Sequence, residues 1–121
     1  MIIEARKEDY GNKNFTSSKI VTRDKRIFKF GPIDFRAKLA QGQGIWPVFW
    51  MLPQHSIYGT WPKSGEIDIM EMIGKDPAKN YGTLHFGPGQ GSTQLGKNIS
   101  LSNGIFSDEF HVFHWSGVKM K

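Results

Sequence analysis

The chain of 121 residues contains no cysteine, which excludes disulfides, thiolate metal sites and a cysteine nucleophile. It has no apolar run near the ~18 residues that a transmembrane helix requires, so we expect no membrane segment. No stretch keeps the 3.6-residue period of an amphipathic helix, and helices longer than a turn are not expected. The length allows one domain.

Glycine and proline are frequent instead, with 14 and 6 copies. They separate short segments rich in β-branched and aromatic residues, which is typical of an all-β protein. The predicted strands are residues 18–22, 26–30, 33–39, 45–52, 66–72, 81–86 and 110–115. Segment 45–52 is almost entirely apolar, which favours a strand covered on both faces. The pattern predicts a two-sheet antiparallel β-sandwich.

Aromatic residues make up 13% of the chain, and three of its four tryptophans lie close together at Trp46, Trp50 and Trp61. A hydrophobic core spreads its large aromatic side chains, whereas a platform for sugars or bases concentrates them. The cluster therefore indicates a binding surface.

The net charge of +5 permits weak attraction to polyanions. The basic residues are scattered, however, and only Arg23, Lys25, Arg26 and Lys29 cluster. This group is interpreted as a solvated strand face or turn, and no nucleic-acid partner is predicted.

One segment combines acidic and apolar residues in an unusual way. On a strand, Glu66 and Asp68 share one face while Ile67 and Ile69 share the other. Glu71 has the wrong parity by one residue, and a β-bulge after Asp68 would return it to the acidic face. Gathering three carboxylates costs free energy because each charge disfavours ionisation of the others. The segment therefore predicts a functional carboxylate cluster.

The chemistry that fits is glycoside hydrolysis with retention, which uses two carboxyl groups about 5–5.5 Å apart. The Cα atoms of Glu66 and Glu71 would lie about 13 Å apart across the bulge, and their side chains can close most of that gap. Glu66 would be the nucleophile, Glu71 the acid/base, and Asp68 would hold their protonation states apart. Two alternatives remain: a calcium site and an edge strand with solvated acids.

Residues 46–52 (WPVFWML) and 61–71 (WPKSGEIDIME) resemble glycoside hydrolase family 16, in particular its laminarinase-like endo-β-1,3-glucanases. Residues 5–8, 15–17, 35–39 and 82–85 follow the family order, so the resemblance covers nearly the whole chain. It implies a concanavalin-like β-jelly roll, with a β-glucan cleft across the concave sheet. Residues 1–121 would form the N-terminal half of such a catalytic domain.

The resemblance also implies site residues. It assigns catalytic roles to Glu66, Asp68 and Glu71, and glucan contacts to Trp46, Trp50, Trp61 and His85. For Trp50 and His85 a place in the core is an equal or nearly equal alternative. No metal or cofactor is inferred.

Several expectations concern the whole protein. A divided sandwich exposes strand edges and an apolar face, so we expect a homo-oligomer or a strand-exchanged dimer. No signal peptide is recognised in the chain, and secretion would belong to a longer parent. The predicted function is hydrolysis of β-1,3 or mixed β-1,3-1,4 glucan. The alternative is a non-catalytic glucan-binding module or an inactive relic.

Overall fold

The computed structural model describes residues 1–88 and 93–119. Within them, the chain forms eight β-strands and no helix, and so no helix that could cross a membrane. The strands are β1 (Arg6–Tyr10), β2 (Lys13–Thr16), β3 (Gly31–Ala37), β4 (Val48–Met51), β5 (Glu66–Glu71), β6 (Lys79–His85), β7 (Gln94–Ser100) and β8 (His111–Gly117).

All strand pairs are antiparallel. The largest sheet has four strands in the order β4-β5-β6-β7, and each strand follows its neighbour along the chain. A second sheet pairs β3 with β8, which brings distant parts of the sequence together, and β1 pairs with β2 in a separate hairpin. The predicted all-β, antiparallel architecture is confirmed.

The core lies between the four-stranded sheet and the β3–β8 sheet. The Phe35 ring on β3 stacks on Phe49 of β4 with centroids 4.4 Å apart, and Phe49 also contacts Phe113 of β8. The buried apolar side chains are Leu39, Met70, Met72, Phe106 and Phe113. Burial of this apolar surface holds the two layers together, as expected for a sandwich.

Two predicted strands are wrong. Residues 18–22 and 26–30 form no strand, and Ile20, Val21 and Ile27 are exposed there. β-Branched residues favour a pleated surface only where a neighbouring strand supplies hydrogen bonds and packing. In the part of the chain that the structure describes, no strand pairs with residues 18–30.

The sequence also failed to predict β1, β2 and β7. Strand β7 carries Gly96, Lys97 and Asn98, which have low β propensity. It forms because β6 offers a continuous partner, from Lys79 opposite Ser100 to His85 opposite Gln94.

The apolar segment 45–52 contains a shorter strand than predicted, and β4 is not covered on both faces. Phe49 packs against the core, while Trp50 and Val48 line an open cleft on the other side. The apolar residues on the open side explain why the segment resembled a fully buried strand.

Replacement of Met70 should test the interlayer core. Met70 is fully buried, so we expect Met70→Ala to lower the free energy of unfolding by about 2–5 kcal/mol, through lost burial and a cavity. Urea unfolding followed by tryptophan fluorescence measures this. The exposed control Ile57→Ala should change stability by less than about 0.5 kcal/mol. Equal effects of both changes would contradict the described core.

Candidate active site

Strand β5 contains the predicted bulge. Asp68 lies opposite Thr83 and Glu71 opposite Tyr81, so Ile69 and Met70 together face the single residue Gly82 of β6. Toward β4, Met70 pairs with Phe49 and Asp68 with Trp50, which leaves Ile69 without a partner. The extra residue restores the parity of Glu71, and the predicted bulge is confirmed.

The acidic face of β5 forms the floor of an open cleft of about 1170 Å³. Across the sheet, one row runs from Trp50 through Asp68 and Thr83 to Gly96. The rows on either side contain the two glutamates. The structure brings all the predicted site residues to this cleft: Glu66, Asp68, Glu71, Trp46, Trp50, Trp61 and His85.

Asp68 is the most buried of the three acids, with 6% of its surface exposed. His85 Nε2 lies 3.0 Å from its Oδ2 atom. Burial, followed by the charges of Glu71 and Glu66, raises the pKa of Asp68 from 3.8 to about 6, although His85 opposes this shift. Asp68 therefore holds a proton at a higher pH than an ordinary aspartate.

Glu66 receives a hydrogen bond from a tryptophan. The indole Nε1–H of Trp61 donates to Glu66 Oε2 at 2.5 Å, and the Trp61 ring lies 5.7 Å from the His85 ring. His85 in turn contacts Asp68. Trp61, 52% exposed in the turn before β5, thus interacts with the carboxylate and keeps an accessible ring surface.

Glu71 has a different donor. The hydroxyl of Thr83 on β6 donates to Glu71 Oε2 at 3.3 Å. Thr83 was not among the predicted site residues. Strand parity could have identified it, because Tyr81, Thr83 and His85 share the face of β6 that lines the cleft.

The other two tryptophans of the cluster, Trp46 and Trp50, extend the cleft. Trp46 is 67% exposed, while Trp50 is partly buried and has the Lys19 ammonium 5.0 Å from its ring centroid. Of the two alternatives for Trp50, the structure shows the cleft. Exposed indole faces suit the apolar faces of sugar rings. His85 also lies in the cleft rather than in the core.

The calcium alternative finds no support here. Within residues 1–88 and 93–119, no group of three or more acidic or histidine side chains has an arrangement that could hold a metal ion. The solvated-edge alternative is wrong, because β5 is an inner strand between β4 and β6.

A two-layer antiparallel fold, with a bulged carboxylate strand and tryptophans lining an open cleft, is the architecture of β-jelly-roll glycoside hydrolases. The family model described as "Glycosyl hydrolases family 16" matches residues 3–118. The chain belongs to this family.

Two individual proteins with similar sequences illustrate the family relationship. The chain is 47% identical over 102 residues to "Glucan endo-1,3-beta-glucosidase A1" of Niallia circulans, covering 82% of this chain and 15% of that protein. It is 39% identical over 113 residues to a "Beta-1,3-glucan-binding protein" of Penaeus monodon, covering 86% of this chain and 31% of that one.

A solved structure, the laminarinase catalytic domain of Thermotoga maritima, superposes with a TM-score of 0.88 at 40% identity. The match covers 97% of this chain and 49% of the solved chain. The chain therefore spans about half the length of this solved relative, and less of the two relatives above.

Asp68 should make stability depend on pH. The pKa of Asp68 is raised in the folded state, so the folded protein binds its proton more tightly than the unfolded chain does. The free energy of unfolding therefore falls as pH rises from about 4 to 7. We expect Asp68→Asn to raise the free energy of unfolding by about 1–3 kcal/mol at pH 7 relative to its effect at pH 4. Urea unfolding at both pH values measures it.

The matched control is Asp34→Asn on β3, whose carboxylate is exposed and lies beside His114. A pH dependence that survives in Asp68→Asn but disappears in Asp34→Asn would contradict the assignment to Asp68.

Proposed function

We propose that the protein provides the catalytic carboxylates of a retaining endo-β-glucanase, which hydrolyses β-1,3 or mixed β-1,3-1,4 glucan by double displacement. Residues 1–121 would be the N-terminal half of the catalytic domain. The observation that carries this proposal is the bulge in β5, which brings Glu66, Asp68 and Glu71 to one face. Relatives with glucanase names support the choice of substrate.

In the first step, the Glu66 carboxylate attacks the anomeric carbon while Glu71 gives its proton to the departing glycosidic oxygen. A glycosyl ester on Glu66 results, and the glucan fragment beyond the broken bond leaves. In the second step, Glu71 takes a proton from water, the water oxygen attacks the anomeric carbon, and Glu66 is released. Glu71 is then protonated again, so the cycle closes.

Asp68 fits a supporting role between the glutamates. Its pKa of about 6 lets it retain a proton near the pH at which Glu66 must be ionised. A protonated Asp68 can donate a hydrogen bond to a neighbouring carboxylate and stabilise its anion. In this proposal, Asp68 thereby supports the different roles of the two glutamates.

The substrate would lie along the tryptophan-lined cleft. Trp46 and Trp50 offer indole faces to pyranose rings, and Trp61 and His85 flank the Glu66 end. Stacking of pyranose rings on the indole faces suits a polysaccharide substrate.

A second candidate function is glucan binding without hydrolysis. The similarity to a relative named as a β-1,3-glucan-binding protein favours it. The two candidates differ in whether the acids act on a bound glucan, which the following substitution tests.

We expect the chain to release reducing ends from soluble β-1,3-glucan or mixed-linkage glucan. Glu66→Gln should reduce the rate by more than about a thousandfold, because the nucleophile is removed, yet should retain glucan binding in affinity electrophoresis. Glu109→Gln, an exposed glutamate, is the matched control. Binding without hydrolysis by the unchanged chain would support the second candidate, while loss of binding in Glu66→Gln would indicate a structural role for Glu66.

We further propose that the chain self-associates, as a homo-oligomer or by strand exchange. Leu95 and Ile99 on β7 are 60% and 62% exposed, on the face opposite the cleft. Leu84 of β6 lies beside Leu95 on this face and is also exposed. Apolar sheet surface of this kind is favourable to cover, and a second copy supplies a similar surface.

Light scattering at micromolar concentration should give a mass of at least two chains. Leu95→Lys combined with Ile99→Lys should shift the mass toward one chain, because charges cannot be buried in the contact. Ile57→Lys, in an exposed loop, should leave the mass unchanged. A single-chain mass for the unchanged protein would contradict self-association.

A further inference from the structure

We propose that Thr83 is a positioning residue for Glu71, and that its hydroxyl fixes which carboxylate oxygen carries the catalytic proton. The inference rests on the proposed acid/base role of Glu71. It starts from one contact: Thr83 Oγ1 lies 3.3 Å from Glu71 Oε2 in a partly buried part of the cleft.

The bulge makes this contact possible. The backbone partner of Thr83 is Asp68, whereas Glu71 is paired with Tyr81. With regular alternation, Glu71 would point to the opposite face of the sheet, away from Thr83. The extra residue turns Glu71 onto the face of Thr83, and the hydroxyl reaches it diagonally across the two strands.

The three acids have different donors. Trp61 donates to Glu66, and His85 lies beside Asp68. Thr83 is the side-chain donor to Glu71 among the residues that the structure describes. On the far side of Thr83, its partner Gly96 has no side chain that could compete for the hydroxyl. The hydroxyl is thus available to Glu71.

The consequence for catalysis follows from the two oxygens of a carboxyl group. A hydrogen bond from Thr83 to Oε2 favours a proton of Glu71 on Oε1, because the unprotonated oxygen of a carboxyl group is the better acceptor. Oε1 then gives this proton to the departing glycosidic oxygen as the bond to the anomeric carbon breaks and the bond to Glu66 forms. In the second step, Oε1 takes a proton from water as water displaces Glu66. The same oxygen serves both steps.

If Thr83 had only a structural role, its packing would matter and its hydroxyl would not, and two substitutions separate these contributions. Threonine and valine have nearly the same shape, and both favour strands. Thr83→Val therefore removes the hydroxyl and keeps the packing. Thr83→Ser keeps the hydroxyl and removes a methyl group.

The test compares two reactions that differ in their need for an acid. Glucan hydrolysis requires a proton on the leaving oxygen. Reaction with 2-deoxy-2-fluoro-β-laminaribiosyl fluoride requires none, because fluoride leaves unaided, and it traps a glycosyl ester on Glu66 that intact-mass spectrometry detects.

We expect Thr83→Val to lower kcat/KM for soluble β-1,3-glucan by about ten- to a hundredfold relative to its effect on the trapping rate. Thr83→Ser should restore most of this difference. If Thr83→Val does not fold, Thr83→Ala makes the same comparison.

The outcomes separate the two proposals. If the unchanged chain is not trapped on Glu66, the proposed function fails, and this inference fails with it. If trapping occurs but Thr83→Val slows both reactions equally or neither, the proposed function stands and the role of Thr83 is overturned. Failure of Thr83→Ser to restore hydrolysis would also overturn it.

Discussion

The bulge in β5 is the constraint on which the rest of the structure depends. Strict alternation would turn Met70 and Met72 toward the cleft and Glu71 toward the core. Either change is costly, because it exposes apolar side chains and buries a charge among them. One inserted residue removes both costs: the two methionines are fully buried, and Glu71 joins the other acids in the cleft. The same backbone irregularity thus serves the core and the site.

The clustering of acids creates an electrostatic cost that the neighbouring strands reduce. This cost is visible at Asp68, whose pKa is raised by its burial and by the charges of Glu71 and Glu66 on either side. Each carboxylate has its own partner: an indole before β5 for Glu66, and the imidazole and hydroxyl of β6 for Asp68 and Glu71. Three similar groups therefore experience three different environments, as the proposed division into an acid/base and a nucleophile would require.

The two faces of the four-stranded sheet β4-β5-β6-β7 differ in how far they are covered. Above β4 and β5, the β3–β8 layer and its phenylalanines cover the apolar side. Among the described residues, that layer does not extend over β6 and β7, where aliphatic side chains remain exposed. The cleft side stays open along all four strands. The covered part of the sheet thus includes the strand that carries the acids, and the cleft extends from it onto the neighbouring strands.

The sequence by itself determined the all-β class, the parity of Glu66 and Asp68, and the need for a bulge before Glu71, because side-chain alternation is a local property of a strand. The family resemblance added the tryptophans and His85. Only the tertiary structure decided that 18–30 lacks strands, that β7 exists, that Trp50 faces the cleft, and that Thr83 reaches Glu71. Each of these depends on a neighbour distant in sequence, since strand pairing and side-chain contacts are set by the partner as much as by the segment itself.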